Sequence, residues 1–199
     1  VERIRGIQAM ALETRAMMEE AGCAVAAMEC WSLFRDEFGF APCMAISALG
    51  DRGIPVACEM DINGALTMAA AQAVSLGEPV FLADLTIRHP ENDNAELLWH
   101  CGPFPSALAR ADRQPAIRGA MGSWEMRPGD VTILRLDELG GNYQLIAAEG
   151  RSVDGPETTG TYLWVEFPDW PALEDKFIFG PYTHHVAGIY GRHSRALEE

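Results

Sequence analysis

Between Gly53 and Gly102, three groups able to do acid–base or metal chemistry stand at the ends of apolar runs. Ile54-Pro55-Val56-Ala57-Cys58 leads to Glu59, Pro79-Val80-Phe81-Leu82-Ala83 leads to Asp84, and Ala95-Glu96-Leu97-Leu98-Trp99 leads to His100. Runs this short, bounded by Pro or Gly, predict buried strands, and in open α/β sheets ligands collect at the carboxyl ends of strands. Two carboxylates and an imidazole are a donor set for a divalent cation: hard cations take oxygen ligands, and Mn²⁺ also accepts imidazole. Asp61, two residues past Glu59, shares its side if the strand continues, or else caps the helix predicted over 65–74. A second imidazole source is His184-His185. Neighbours on an extended backbone point to opposite sides, so at most one of the two faces a site; on spacing alone such a pair is more often a surface feature than ligands.

These groups need elements to hold them, and the chain is long enough to build a core. It has 199 residues, 48% hydrophobic and 22% charged, an ordinary globular balance. The net charge of −14 argues against a nucleic-acid partner, whose phosphates call for basic patches. No run approaches the roughly 18 apolar residues of a membrane span. The start, Val1-Glu2-Arg3-Ile4-Arg5, has neither initiator Met nor signal-peptide layout, and reads as the middle of a longer protein.

Residues 2–21 carry apolar positions at helical spacing, with Gly22 as the stop. A short strand over 23–28, helical turns over 32–38, a helix over 44–49, the Glu59 strand and the helix over 65–74 follow. That alternation predicts an α/β unit with a parallel sheet. Past Gly77 the runs become short and are punctuated by Gly and Pro turns: 79–82, 95–99, 131–136, 143–149, 161–167 and 176–179. They predict an antiparallel sheet or barrel. The reading is a mixed α+β chain with one unit over 1–75, a second, β-rich unit over 76–199, and the site between them, a common place for small-ligand sites.

Cys23, Cys30, Cys43, Cys58 and Cys101 are odd in number and contain no C-x-x-C pair. A structural zinc site is therefore poorly supported, and reduced core thiols of a cytoplasmic protein are expected. Trp31, Trp99 and Trp124 could stack on a sugar face, although packing accounts for them as well. Glu29 reads equally as a capping acid or a substrate contact. His89 and His193 are expected in solvent.

The ordered series Gly-Ile-Pro-Val-Ala-Cys-Glu59-Met-Asp61-Ile, Phe-Leu-Ala-Asp84, His100-Cys-Gly and His184-His185-Val-Ala resembles the L-fucose isomerase and L-arabinose isomerase superfamily, the fucose isomerase-like branch most closely. The resemblance runs over most of the chain. It implies an α/β domain followed by a β-barrel-like domain, with Mn²⁺, or another divalent cation, bound between them. It implies Glu59 and Asp84 as acidic ligands that double as acid–base groups, and His185 as the histidine ligand. His100 matches a ligand of the arabinose branch, whereas fucose-type enzymes use one protein ligand fewer, so there it would only hydrogen-bond substrate. Trp31, Asp61, His184 and Trp99 are the candidate sugar contacts. The implied reaction moves a proton between C1 and C2 of an open-chain sugar, through an enediolate whose charge the cation offsets. Family members are longer, with further α/β units ahead of this region, and assemble as oligomers. A homo-oligomer, trimer or hexamer, or a missing N-terminal portion is therefore expected. A non-catalytic carbohydrate-binding or regulatory piece on the same fold, or another metal-assisted reaction on a small sugar acid, are the alternatives.

Overall fold

Helical spacing over the first twenty residues produces α1 (Glu2–Ala21), which buries Ile7, Ala11 and Met18 and stops at Gly22, whose φ of 66° suits glycine. In this computed structural model, which describes residues 2–30, 32–118 and 120–198, α1 is followed by β1 (Ala26–Ala27), α2 (Leu33–Phe38), α3 (Cys43–Gly50), β2 (Val56–Ala57) and α4 (Ile62–Val74). The expected parallel pairing is present, β1 beside β2 in register Ala26 to Val56 and Ala27 to Ala57. It is much shorter than the sequence runs over 23–28 and 53–59 suggest. Pro55 lacks the N–H a longer ladder needs, and Glu59 and Met60 turn the chain away at φ 60° and 54°. Glu29 accepts the backbone N–H groups of Ser32 and Leu33 ahead of α2. Trp31 lies outside the described residues.

The second half is a closed sheet. β3 (Phe81–His89), β4 (Asn92–His100), β7 (Asp130–Leu139), β8 (Asn142–Ser152), β9 (Thr161–Glu166) and β10 (His185–Tyr190) pair in the order β4-β3-β10-β7-β8-β9, and β9 pairs back to β4. Every pairing around this ring is antiparallel. A short hairpin, β5 (Ala116–Arg118) with β6 (Met121–Glu125), joins through β6, which runs parallel to β9. The period of two decides what faces inward. Phe81, Ala83 and Leu85 of β3 meet Leu98, Val131, Ile133, Leu163 and Val186 in one core. On the outer face Leu82, Leu134, Ala187 and Ile189 receive Ala65, Met68 and Ala71 of α4, so this helix ties the first half of the chain to the barrel. The fold is thus a mixed one: a small parallel α/β unit followed by an antiparallel barrel. Among the described residues no helix is long and apolar enough to cross a membrane.

Several local expectations need correction. The run 176–179 is not a strand; its start closes α5 (Trp170–Phe177), which begins at Asp169, whose carboxylate accepts the Ala172 N–H, with proline in the first turn. The signal lay upstream of the apolar window, in the capping residue. Asp84 sits inside β3 rather than at its end, because pairing with β4 and β10 carries the strand on to His89. His89 is half-buried, its ring edge-on to Trp164 at 5.0 Å, and His193 Nε2–H donates to Tyr190 O at 3.0 Å; neither is simply solvated. The closing residues form α6 (Ser194–Glu198).

One buried acid makes stability depend on pH. Glu96 of β4 is 3% exposed; burial, with Glu174 nearby, pushes its carboxyl up to about 8, against the pull of Arg88. An unfolded Glu titrates near ~4.3, so between that value and about 8 the folded state holds the extra proton and stability falls as pH rises. Glu96→Gln is expected to remove a cost of about 1.4 kcal/mol per pH unit across that window. In urea titrations the variant should gain on the parent from pH 5 to pH 8; parallel curves would refute the assignment.

Candidate functional site

The turn after β2 brings Glu59 and Asp61 to the barrel. Two consecutive non-glycine residues in the left-handed region are uncommon, and such backbone clusters at functional sites. The turn is held by Met60 N–H to Met28 O at 3.1 Å and Asp61 N–H to Cys58 O at 3.2 Å. Glu59 is left partly open, its side chain 32% exposed, with one oxygen 4.0 Å from His100 Nε2.

Asp61 does two jobs. Its Oδ1 accepts the Gly64 N–H at 2.7 Å, capping α4. Its Oδ2 lies 2.8 Å from His185 Nδ1 and also accepts from Arg135. Burial alone would raise this carboxyl, but the hydrogen bonds from His185, Arg135 and the Gly64 amide override it and hold it well below the usual carboxylate range. Arg135, almost fully buried, also donates to Asp137 at 2.7 Å and to the His185 carbonyl at 3.0 Å. Asp137 in turn accepts the Thr183 N–H at 2.8 Å. His185 is therefore gripped at its ring by Asp61 and at its backbone by Arg135.

Sheet register supplies the rest. Asp84 of β3 lies directly opposite His185 of β10 and opposite Trp99 of β4. His184 points away into solvent, its side chain 57% exposed, with Nε2 3.5 Å from Asp84 Oδ1; His185 is buried, as alternation requires. His100 closes β4, its ring centroid 5.4 Å from that of His185. Trp99 is pinned by Nε1–H to Thr159 O at 2.6 Å, while Trp124 is buried in the core.

The two buried imidazoles are set oppositely. Facing an ionised Asp61, His185 Nδ1 carries the proton, which leaves a lone pair on Nε2; that atom is buried without a hydrogen-bond partner. At His100 the Cys101 N–H donates to Nδ1 at 2.9 Å, so the neutral ring keeps its proton on Nε2, the side facing Glu59. Burial opposes charge on His100, but the Cys101 thiol and the carboxylates of Asp84 and Glu59 outweigh it and raise its pKa. The predicted ligands are linked pairwise: Asp84 stands opposite His185 in the sheet, the His100 and His185 rings are 5.4 Å apart, and Glu59 lies 4.0 Å from His100, with Asp61, Trp99 and His184 next to them. Among the described residues the three donors that lie within 4.8 Å of one another are Cys58, His100 and Cys101.

Sequence reasoning missed two features. Arg135 and Asp137 share one side of an apolar strand, and that two-residue spacing of opposite charges was the available signal. The other is behind the cleft: Cys58 Sγ is 3.1 Å from Cys30 Sγ, and Cys43 Sγ 3.5 Å from Cys101 Sγ. Four of the five cysteines converge, while Cys23 is exposed. Hydrogen bonds from the Cys43 and Cys58 thiols, with His100 alongside, make Cys101 far more acidic than an ordinary thiol, and Cys43 and Cys58 correspondingly less so.

No protein-family model matches the chain. It is similar to sulfoquinovose isomerases. The protein of that name from Alkalicoccus urumqiensis is 33% identical over 161 residues, covering 76% of this chain and 36% of the relative. Those from Priestia aryabhattai and Clostridium sp. (strain MSTE9) are 30% and 29% identical, over 83% and 85% of this chain and 39% and 40% of theirs. The chain thus spans under half the length of the curated relatives it matches.

Proposed function

We propose that this chain carries the sugar-isomerising site of a divalent-cation-dependent aldose–ketose isomerase, of the L-fucose and L-arabinose isomerase kind, acting on a sulfoquinovose-like aldose. The observation that carries the reading is the buried Asp61–His185 pair, whose Nε2 is buried without a partner on the residue that stands opposite Asp84 in the sheet. A histidine held by a carboxylate through one nitrogen, with the other free, is the arrangement that orients metal-ligating imidazoles. Two carboxylates and an imidazole are the donor types a cation such as Mn²⁺ takes, and His185, Asp84 and Glu59 would hold it. When bound, it supplies Lewis-acid polarisation of the substrate carbonyl.

The chain's own groups do the rest. Glu59, partly open and on a rigid turn, is placed to take the proton from one carbon and return it to its neighbour. His100, its Nε2–H toward Glu59, donates a hydrogen bond to a substrate oxygen rather than ligating the cation, in keeping with the fucose-type ligand count. Asp61 and Arg135 act behind His185, fixing its tautomer and position. Trp99 and His184 border the cleft as sugar contacts. A homo-oligomer is part of this reading, because the cleft is open on the Glu59 and His184 side.

The test is isomerisation by the Mn²⁺-loaded protein of sulfoquinovose, L-fucose and L-arabinose in D₂O. Ketose with deuterium at the former C1–C2 positions is expected, with sulfoquinovose fastest. A cation-loaded protein that converts none of the three, and exchanges no deuterium, would instead fit the carbohydrate-binding alternative.

A further inference from the structure

Behind the oxygen-donor cleft lies a second set of donors of a different chemical kind. Cys58 follows β2, Cys101 follows β4, and His100 ends β4; one donor atom from each lies within 4.8 Å of the other two. His100 Nδ1 is 3.2 Å from Cys101 Sγ. Cys58 and His100 are each 1% exposed. A further thiol flanks each sulfur, Cys30 at 3.1 Å from Cys58 and Cys43 at 3.5 Å from Cys101.

We propose that Cys58, Cys101 and His100 Nδ1 form a binding site for a soft cation, Zn²⁺ foremost, with Cys30 or Cys43 as the fourth donor. Thiolate and imidazole select Zn²⁺ over the hard cations suited to the carboxylate cleft. With Zn–S near ~2.3 Å and Zn–N near ~2.0 Å, donors in a tetrahedral site stand roughly 3.5 Å apart, which the observed spacing reaches by small side-chain rotations. Packing alone does not account for the arrangement. Apolar burial is satisfied by any aliphatic side chain, yet four thiols from four separate segments form two pairs, and one thiol of each pair lies in the cluster with His100. The Nδ1 lone pair, which accepts the Cys101 N–H, passes to the cation on binding. Uptake is balanced: three thiols lose their protons as three sulfur–zinc bonds form, so each Zn²⁺ bound releases three protons to solvent.

The site has a consequence for the cleft. A cation on Nδ1 leaves the remaining ring proton on Nε2, locking His100 as a donor toward Glu59. Zinc here is a positioning element, distinct from the Lewis acid of the proposed reaction. The inference does not depend on that reaction.

The experiment is Co²⁺ titration of the intact protein, reduced with a phosphine, followed by native mass spectrometry with Zn²⁺. Oxygen and nitrogen ligands give no sulfur-to-cobalt charge-transfer band, so the carboxylate cleft is silent in this readout. An intense near-ultraviolet band, and a mass increase corresponding to one bound Zn, are expected. Cys58→Ser and Cys101→Ser should each abolish the band and weaken Zn²⁺ binding at least tenfold, while Cys23→Ser and His185→Asn keep it. A fully reduced parent protein without the band overturns the proposal whatever the variants do. So does a band that survives in both serine variants.

Discussion

Asp84→Asn protein is expected to lose its cation while keeping its fold. Asp84 is partly exposed, lies on a strand paired on both sides, and its side chain caps no element. An amide of the same shape leaves β3 intact, so the melting temperature of the cation-free protein should stay within a few degrees of the parent. What disappears is the anionic oxygen of the residue that stands opposite His185 in the sheet. Removing an outer-shell partner of a metal ligand costs about 10–100-fold in affinity; removing a charged ligand itself should cost more than about a hundredfold. Plasma emission on purified protein reads this directly: about one Mn²⁺ per chain in the parent, near none in the variant. Glu59→Gln separates the two duties assigned to carboxylates. With His185 and Asp84 still present it should retain part of its Mn²⁺ but lose turnover by at least about a hundredfold, the scale of a missing general acid–base group. Full metal content and full turnover in both variants would remove Glu59 and Asp84 from the site.

Arg135→Leu should be among the most destabilising single changes in the barrel. The guanidinium is 4% exposed and bridges Asp61 and Asp137, whose side chains are 13% and 8% exposed. Without it two buried carboxylates lose the charge that offsets theirs and keep only the hydrogen bonds of His185 and Gly64 to Asp61 and of Thr183 to Asp137, a defect that costs about 3–5 kcal/mol. The change also alters the acid limb. Burial would raise both carboxyls, but their hydrogen bonds, with His185 and Arg135 for Asp61 and with Arg135 and the Thr183 amide for Asp137, hold them below normal. A depressed carboxylate contributes fully above its unfolded value, near ~3.9 for Asp, and that contribution fades as pH falls through the folded value. The parent should lose stability below about pH 4, whereas Arg135→Leu should start lower and fall less steeply. Urea midpoints from pH 2 to pH 7 check this. A loss under 1 kcal/mol at pH 7 would mean that water reaches the pair. The Glu96 effect runs the other way with pH and sits in a separate window, so the two can be read from one data set.

The residues that define the cleft were legible because their types are rare where they stand: acids and imidazoles at the ends of apolar runs. The class was legible as well: short runs punctuated by Gly and Pro turns past Gly77 suit strands of an antiparallel sheet and leave no room for helices of ordinary length. The helix over 65–74 was legible too, and of the two readings open for Asp61 the structure takes the cap and adds the contact to His185. Residue spacing could not set which oxygen faces which nitrogen. The register Asp84 to His185 arises from pairing across about a hundred residues of chain, and the opposite tautomers of His100 and His185 depend on which neighbour reaches Nδ1 in each case. The Arg135 bridge and the convergence of four thiols are likewise products of closure: β2, β4, α3 and the segment after β1 meet only when the barrel seals and α4 lies across it. Local sequence chose the groups; long-range pairing decided which of them touch.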